Sequence, residues 1–326
     1  MSIKSRINYL QRIFSAYLSH NNSQLTFWHG IPEINRNATI DKIGQYYMSF
    51  LYKTKYPGPF DKNNIPLLDY KGKIGKQYNP IAISQYGLGH YNLYKQTKHK
   101  ENLDISIKQA DWLVNNLETN KHGVKTWMHH FDWEYRDTLK SPWYSALAQG
   151  NGISLLVRIY IETKDEKYFK VAQQAFESLY ILIENGGVLY IDKDNNSWLE
   201  EAIVNPPTHI LNGFLWTIFG IWDYYLLTNE KKVKILFNRC VETIRNNLKF
   251  FDIGFWSLYE QSGTKMKMLT SFFYHSLHIV QLNILYKITN ESIFKQYADK
   301  WEKYKKNWLY RKIALVYKIV FKLFYY

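Results

Sequence analysis

The tetrads YKQT (Tyr94–Thr97), YIET (Tyr160–Thr163), YLLT (Tyr225–Thr228) and YKIT (Tyr286–Thr289) decide how this chain is read. They recur at intervals of 66, 65 and 61 residues. Each closes an apolar helical pattern and is followed by a short polar turn, KHKE, KDEK, NEKK or NESI. A second helical pattern then begins. In the second unit Ile153, Leu156, Val157 and Tyr160 share one helical face, and Phe169, Ala172, Phe176 and Leu179 share a face of the partner helix. A Thr ahead of a turn containing Asp or Glu makes a helix boundary. A period of this length is that of stacked helical hairpins, which bury their faces against neighbours. First helices are predicted near 82–96, 145–162, 209–227 and 273–288, and second helices near 102–118, 166–184, 230–249 and 291–308. The fold class expected is all-α: an α/α barrel, a toroid of about four helical hairpins, complete or incomplete. Residues 1–19 add an amphipathic helix, with Ile3, Ile7, Leu10, Phe14 and Tyr17 on one face.

The connections are unequal. Within a pair the turn is three to five residues, whereas the links 119–144, 185–208 and 250–272 and the lead-in 53–81 are long. Long links inside a compact domain are usually functional. They contain short strand-like pieces, VLYI at 188–191 and FWSLY at 255–259. Each precedes a first helix, so all are expected at one mouth of the toroid, with the site there. The first-helix starts supply Gln85, Tyr86 and His90, then Tyr144, Gln149 and Asn151, then His209 and Asn212, then Tyr274, His275, His278 and Gln281. Repeated amides, imidazoles and phenols at equivalent helix ends point to a polar cavity rather than to isolated buried polar groups.

Glu200 and Glu201 follow Trp198 in the third link. Neighbours on a strand face opposite ways, so one of the two carboxylates is expected to be structural. His129, His130 and Asp132 match no strong metal motif, and no metal or cofactor is expected. Gly-x-Gly occurs at 87–89 and 150–152, but inside predicted helices with no strand ahead, so these are not phosphate loops. There is no Gly-x-Ser-x-Gly.

Composition bounds the partners. Of 326 residues, 46% are apolar and 21% charged, which excludes disorder as the main state. Aromatics reach 17%, and Tyr and Trp at that density suit contact with polar rings. The single Cys240 excludes an intramolecular disulfide and a cysteine zinc site. A net charge of +14 favours polyanions: an acidic polysaccharide, anionic lipid or nucleic acid. The cations are scattered rather than gathered into a basic arm, which argues against nucleic acid. No signal-peptide run occupies the first 30 residues and no apolar stretch reaches 18, so a cytoplasmic chain, at most peripheral at a membrane, is expected. At the other end, 309–326 reads LYRKIALVYKIVFKLFYY. Arg311, Lys318 and Lys322 cluster within about 40° on a helix, and the rest is apolar. Such a tail lies either in a membrane interface or on the protein's own core. A homodimer is a further candidate state.

Five blocks resemble the C-terminal domain of D-glucuronyl C5-epimerases, in the family's order: Asn79–Tyr94, Trp143–Asp165, Trp198–Phe214, Trp256–Gln261 and Tyr274–Leu282. The resemblance implies an α/α-barrel catalytic domain that inverts carbon 5 of glucuronate, giving iduronate, within a polysaccharide of the heparosan type. Animal members carry β-rich domains ahead of the barrel, which this chain is expected to lack. The domains expected are a lead-in over 1–77, a catalytic barrel over 78–308 and a tail over 309–326. The family's catalytic tyrosines match Tyr259 and Tyr274, and its acidic residue matches Glu201. Gln85, Tyr86, His90, Tyr144, Gln149, Asn212, His275, His278 and Gln281 are the substrate-binding candidates. Two positions depart from the animal pattern: Ala202 stands for a Tyr and Ser262 for an Arg, with Lys265 or Lys267 as candidate replacements for that charge. The competing classes are a polysaccharide lyase, a glycoside hydrolase using Glu201 with Asp132, Glu134 or Glu260, and a glycan-binding protein without catalysis.

Overall fold

A computed structural model describes residues 27–28, 30–70, 72–135 and 137–325. The helix read over 1–19 lies outside the described residues. The chain divides into two compact units, Ile34–Ile244 and Arg245–Tyr326 with Met1–Glu33. The division falls inside the stretch 78–308, which the sequence presents as one domain.

The first unit opens with a single turn, α1 (Leu51–Thr54), and then holds three hairpins: α2 (Pro80–Thr97) with α3 (Lys100–Asn115), α4 (Ala146–Thr163) with α5 (Glu166–Glu177), and α6 (Leu211–Thr228) with α7 (Lys231–Asn247). The second unit holds the fourth hairpin, α8 (Phe272–Thr289) with α9 (Ser292–Lys306), followed by α10 (Trp308–Tyr325). The hairpins predicted from the tetrads are therefore all present. Their ends explain the repeat. The residue after each Thr is left-handed: Lys98 (φ 60°), Lys164 (59°), Asn229 (53°) and Asn290 (59°). Its N–H donates to the carbonyl of the tetrad Tyr at 2.7–2.8 Å. The Thr hydroxyl donates to the carbonyl four residues earlier, at 2.8–3.0 Å. It also accepts from the N–H two residues later, at 3.3 Å in all four turns. One local module thus satisfies the helix end and reverses the chain. A left-handed Lys carries a steric cost that Gly avoids, so Lys98→Gly and Lys164→Gly should each stabilise the first unit by about 0.5–1 kcal/mol, read as a higher urea midpoint.

The first helices are buried on every side, over Pro80–Asn92, Ala146–Ile159 and Leu211–Tyr224. The single apolar face expected for the second of them is therefore no face at all, and Tyr160 points out to Glu166. The partner helices are one-sided, as α5 shows by burying Tyr168, Ala172, Ala175 and Phe176. Helices α4 and α6 run parallel and nearly touch. A Cβ on Gly150 would meet Thr217 Cα at 2.6 Å, and one on Gly220 would meet Gly150 O at 2.4 Å. Gly152 makes room for the Trp127 ring in the same way. The Gly-x-Gly pairs serve helix packing.

Farther along the same two helices, Arg158 and Asp223 form a buried two-pronged ion pair at 2.6 and 3.0 Å. Arg158 also donates to Gly44 O, and Tyr47 donates to Asp223 at 2.8 Å. Burial opposes the guanidinium charge, but the Asp223 carboxylate outweighs it and raises the Arg158 pKa.

Every strand sits in a link leading to a first helix. β1 (Leu67–Asp69) pairs with β2 (Lys76–Tyr78) before α2. β3 (Leu117–Thr119), β4 (Lys125–His129) and β7 (Trp143–Tyr144) form one antiparallel sheet, and β5 (Trp133–Glu134) and β6 (Thr138–Leu139) another, before α4. β8 (Leu189–Ile191) pairs with β9 (Ser197–Leu199) before α6. In the second unit the expected 255–259 strand is reduced to bridges, Asp252 with Ser257 and Leu258 with Leu269.

Candidate active site

In the first unit the starts of α2, α4 and α6 are set by different caps. Asn79 accepts from the N–H groups of Ile81 and Ala82, and Ser145 from that of Ala148. Helix α6 starts at Ile210, which has no capping side chain. Next to that start lies Glu201. A Cβ on Gly213, the third residue of α6, would meet the Glu201 carboxyl oxygen at 2.1 Å, so the carboxyl group is seated on bare backbone. The amide of Asn212 approaches the same oxygen at 3.4 Å. Burial, and then the charge of Glu200, push the Glu201 pKa from 4.5 up to about 8. Both causes favour the protonated form of the acid, although the residue as a whole is only partly covered.

Glu200, just past the end of β9, has a different partner. It accepts from His209, at Nδ1 (2.5 Å) and at the backbone N–H (3.2 Å). His209, itself left-handed at φ 53°, is stacked on Trp198 with centroids 4.2 Å apart. Glu200 is the structural member of the pair.

Around this point the sequence candidates divide. Gln85, Gln149 and Asn151 lie in the first two turns of α2 and α4, fully buried, with both ends of each amide lacking a protein partner. Buried amides of this kind are normally hydrogen-bonded, so each is a candidate for polar contact with a ligand or water. Tyr144, half-buried on β7, ends the strand that leads into α4. Tyr86 and His90 turn elsewhere. Their rings meet at 4.6 Å, and His90 Nδ1 bonds Asn102 of α3 at 2.8 Å, an outward-helix contact. His129, His130 and Asp132 go to separate partners: Trp143, Glu118 and Lys140.

The second unit holds the tyrosines. Tyr259 and Tyr274 are in edge-to-face contact, centroids 5.1 Å apart at 72°. Two separate segments are tied together to make that contact. Tyr259 donates its N–H to Met268 O, and Ser271 caps α8 by accepting from the Tyr274 N–H. His275 then anchors the strand to the helix. Its Nδ1 meets Ser257 Oγ at 2.7 Å, its ring stacks on Trp256 at 3.9 Å, and its Nε2 lies 3.0 Å from Trp301 O. Both ring nitrogens are thus engaged inside the protein, and burial pushes the His275 pKa down to about 3. The position read as substrate-binding holds a positioning residue. His278 is buried on the same Ser257, at 3.4 Å, with Nε2 lacking a protein partner, and Gln281 is buried one turn on.

Two further features stand out, the first at a residue that the sequence offered only as a hydrolase carboxylate. Glu260 is buried beside Tyr259, and burial lifts its pKa to about 7. Tyr70, Phe131, Trp133 and Trp143 form an aromatic cluster in the links before α2 and α4, with Trp133 exposed. The aromatic count gave only its composition. As for the departures, Ala202 is buried, so a Tyr there would require repacking. Ser262 hydrogen-bonds Thr264, and Lys265 and Lys267 are exposed.

Helical hairpins with long links and a carboxyl group of raised pKa at a helix start are what the described residues present. Residues 119–303, more than half of the chain, match the family described as D-glucuronyl C5-epimerase C-terminus, and the chain belongs to that family. It is 30% identical over 207 residues to a D-glucuronyl C5-epimerase of Caenorhabditis elegans, a match covering 59% of this chain and 33% of that protein. The chain thus spans about a third of that relative. It is 26% identical over 269 residues to an uncharacterised protein of Methanocaldococcus jannaschii, covering 76% of this chain and 86% of the other. Among solved structures, its fold is similar to a cellobiose 2-epimerase from Bacillus thermoamylovorans (TM-score 0.56, 12% identity, 93% of this chain and 88% of that one). It is also similar in fold to a D-mannose isomerase (TM-score 0.50, 11% identity, 93% and 86%). Among the described residues no helix is long and apolar enough to cross a membrane.

Proposed function

We propose that the chain inverts carbon 5 of glucuronate within a polysaccharide of the heparosan type. The observation that carries the reading is the Tyr259–Tyr274 contact, two phenols from separate segments at the positions that match the family's catalytic tyrosines. The toroid read from the repeat belongs to the same proposal.

The C5 proton is α to a carboxylate and only weakly acidic. A base on one face takes it, and the C–H electron pair moves into the carboxylate as an enediolate. An acid then returns a proton to C5 on the opposite face, so nothing is gained or lost overall. The phenols of Tyr259 and Tyr274 are the proposed proton carriers. Glu201 is proposed separately as a proton donor, since a carboxyl group of raised pKa can donate. Exposed Trp133 offers an aromatic face for a sugar ring. The charge of +14 favours an acidic polymer.

The test is incubation with heparosan in deuterated water. Deuterium at C5 with an intact chain supports the proposal. Unsaturated ends would make the protein a lyase, a reading favoured by the buried acid Glu260 beside Tyr259. No exchange, with polymer still retained, would make it a binding protein.

Glu201 gives the pH dependence its sign. As a donor it is spent once ionised, so exchange should fall as pH rises through about 8. Its folded pKa also lies above the unfolded 4.5, so its stability contribution is full below 4.5 and is lost as pH rises to about 8. Glu201→Gln should remove both trends. Gly213→Ala should displace the carboxyl and lower exchange on the order of tenfold or more while the hairpins persist. An unchanged pH profile in Glu201→Gln would remove Glu201 from the reaction.

A further inference from the structure

Helix α10 turns its basic side toward the protein and its apolar side toward water. Lys318 is buried, and its amine donates to Leu269 O at 3.0 Å. The Arg311 guanidinium lies 5.1 Å from the Phe272 ring. Ala314, Leu315 and Phe321 fill the rest of the inner side. On the outer side Trp308 is 64% exposed, Leu309 48%, Ile313 40% and Val316 59%. At the helical repeat these four share an arc of about 140°. Lys312 lies inside that arc, its amine 4.6 Å from the Trp308 ring. Scattered exposed apolar residues are ordinary, but a contiguous stripe on one helix is an interaction face.

We propose that this stripe docks on an anionic lipid surface. Charge selects the occupant. From Lys303 to Tyr326 the chain carries seven Lys and Arg and no Asp or Glu. A two-fold dimer through the stripe would set that cationic segment against its own copy, because an isologous interface pairs a patch with itself. An anionic bilayer presents the opposite charge and an apolar layer beneath it. Trp308 has the amphipathic ring that settles at the headgroup boundary. Lys312 lies within the stripe, where headgroups would lie. The inference stands apart from the reaction proposed at the tyrosines.

The experiment is flotation of the full chain with vesicles of phosphatidylcholine alone or mixed with phosphatidylglycerol. The chain should float with the mixed vesicles, not with phosphatidylcholine alone, and release as salt is raised. Val316→Asp should weaken flotation about tenfold or more, and Trp308→Ala should weaken it too, with helical circular dichroism unchanged in both. The proposal fails if the chain does not float, or if it floats equally with both lipids. It fails if Val316→Asp floats like the unmodified chain. It also fails if the chain proves to be a dimer that Val316→Asp dissociates while vesicles are ignored.

Discussion

Tyr274→Phe should abolish deuterium uptake at C5, by on the order of 10³-fold, while the chain still retains the polymer. The substitution removes one oxygen and leaves the ring. The edge-to-face contact with Tyr259 at 5.1 Å and the Ser271 cap on the backbone N–H do not depend on that oxygen. Unchanged helical circular dichroism with polymer still retained would mark the loss as chemical rather than structural. Positioned proton transfer contributes about 10²–10⁴-fold, and 10³-fold corresponds to about 4 kcal/mol of barrier. Tyr259→Phe should act in the same direction. His275→Gln separates positioning from proton carriage: it keeps both phenols but loosens the segment held through Ser257 and Trp256. It should lower the rate with the pH profile unmoved. If Tyr274→Phe exchanged at nearly the original rate, the family-based assignment would fall and the binding reading would take its place.

Arg158→Met should be the most destabilising single change in the first unit, by about 3–5 kcal/mol. It leaves the Asp223 carboxylate buried beside the Tyr47 hydroxyl, with its two-pronged partner gone. Removing both charges, Arg158→Met with Asp223→Leu, should cost less than the single change, because no uncompensated ion remains. Hydrogen exchange of the α4 and α6 amides reads this locally, which suits a chain of two compact units. A double variant as unstable as the single one would show that the pair's value lies in packing rather than in charge.

The hairpins were legible because their signal is local. Tyr-x-x-Thr and the residue after it carry the whole turn, so the chain's ends of order could be read without knowing any neighbour. The split roles of Glu200 and Glu201 were also expected, although both residues lie just past the end of β9 rather than within a strand. The seat of Glu201 was not legible: Gly213 reads as a weak helix residue until the carboxyl resting on it is seen. Arg158 and Asp223 were visible as lone charges in apolar runs, but they are 65 residues apart and nothing in sequence pairs them. His275 resembled its neighbours in the list of polar helix starts. Only the stack on Trp256 and the bond to Ser257 separate it from them. For α10 the wheel grouped the cations correctly but could not say which side the protein occupied, and a buried Lys318 reverses the natural guess.

The left-handed turns have a consequence for how such a chain can change over time. Each first helix ends in a self-contained stop, while each begins after a long link, strand-bearing in the first unit and reduced to bridges in the second. Insertions and substitutions in a link leave the stop at the far end of the helix untouched. Variation at the exposed positions of a link can therefore accumulate apart from the stop, while buried link residues such as Trp127, Trp198 and Trp256 remain held by the core.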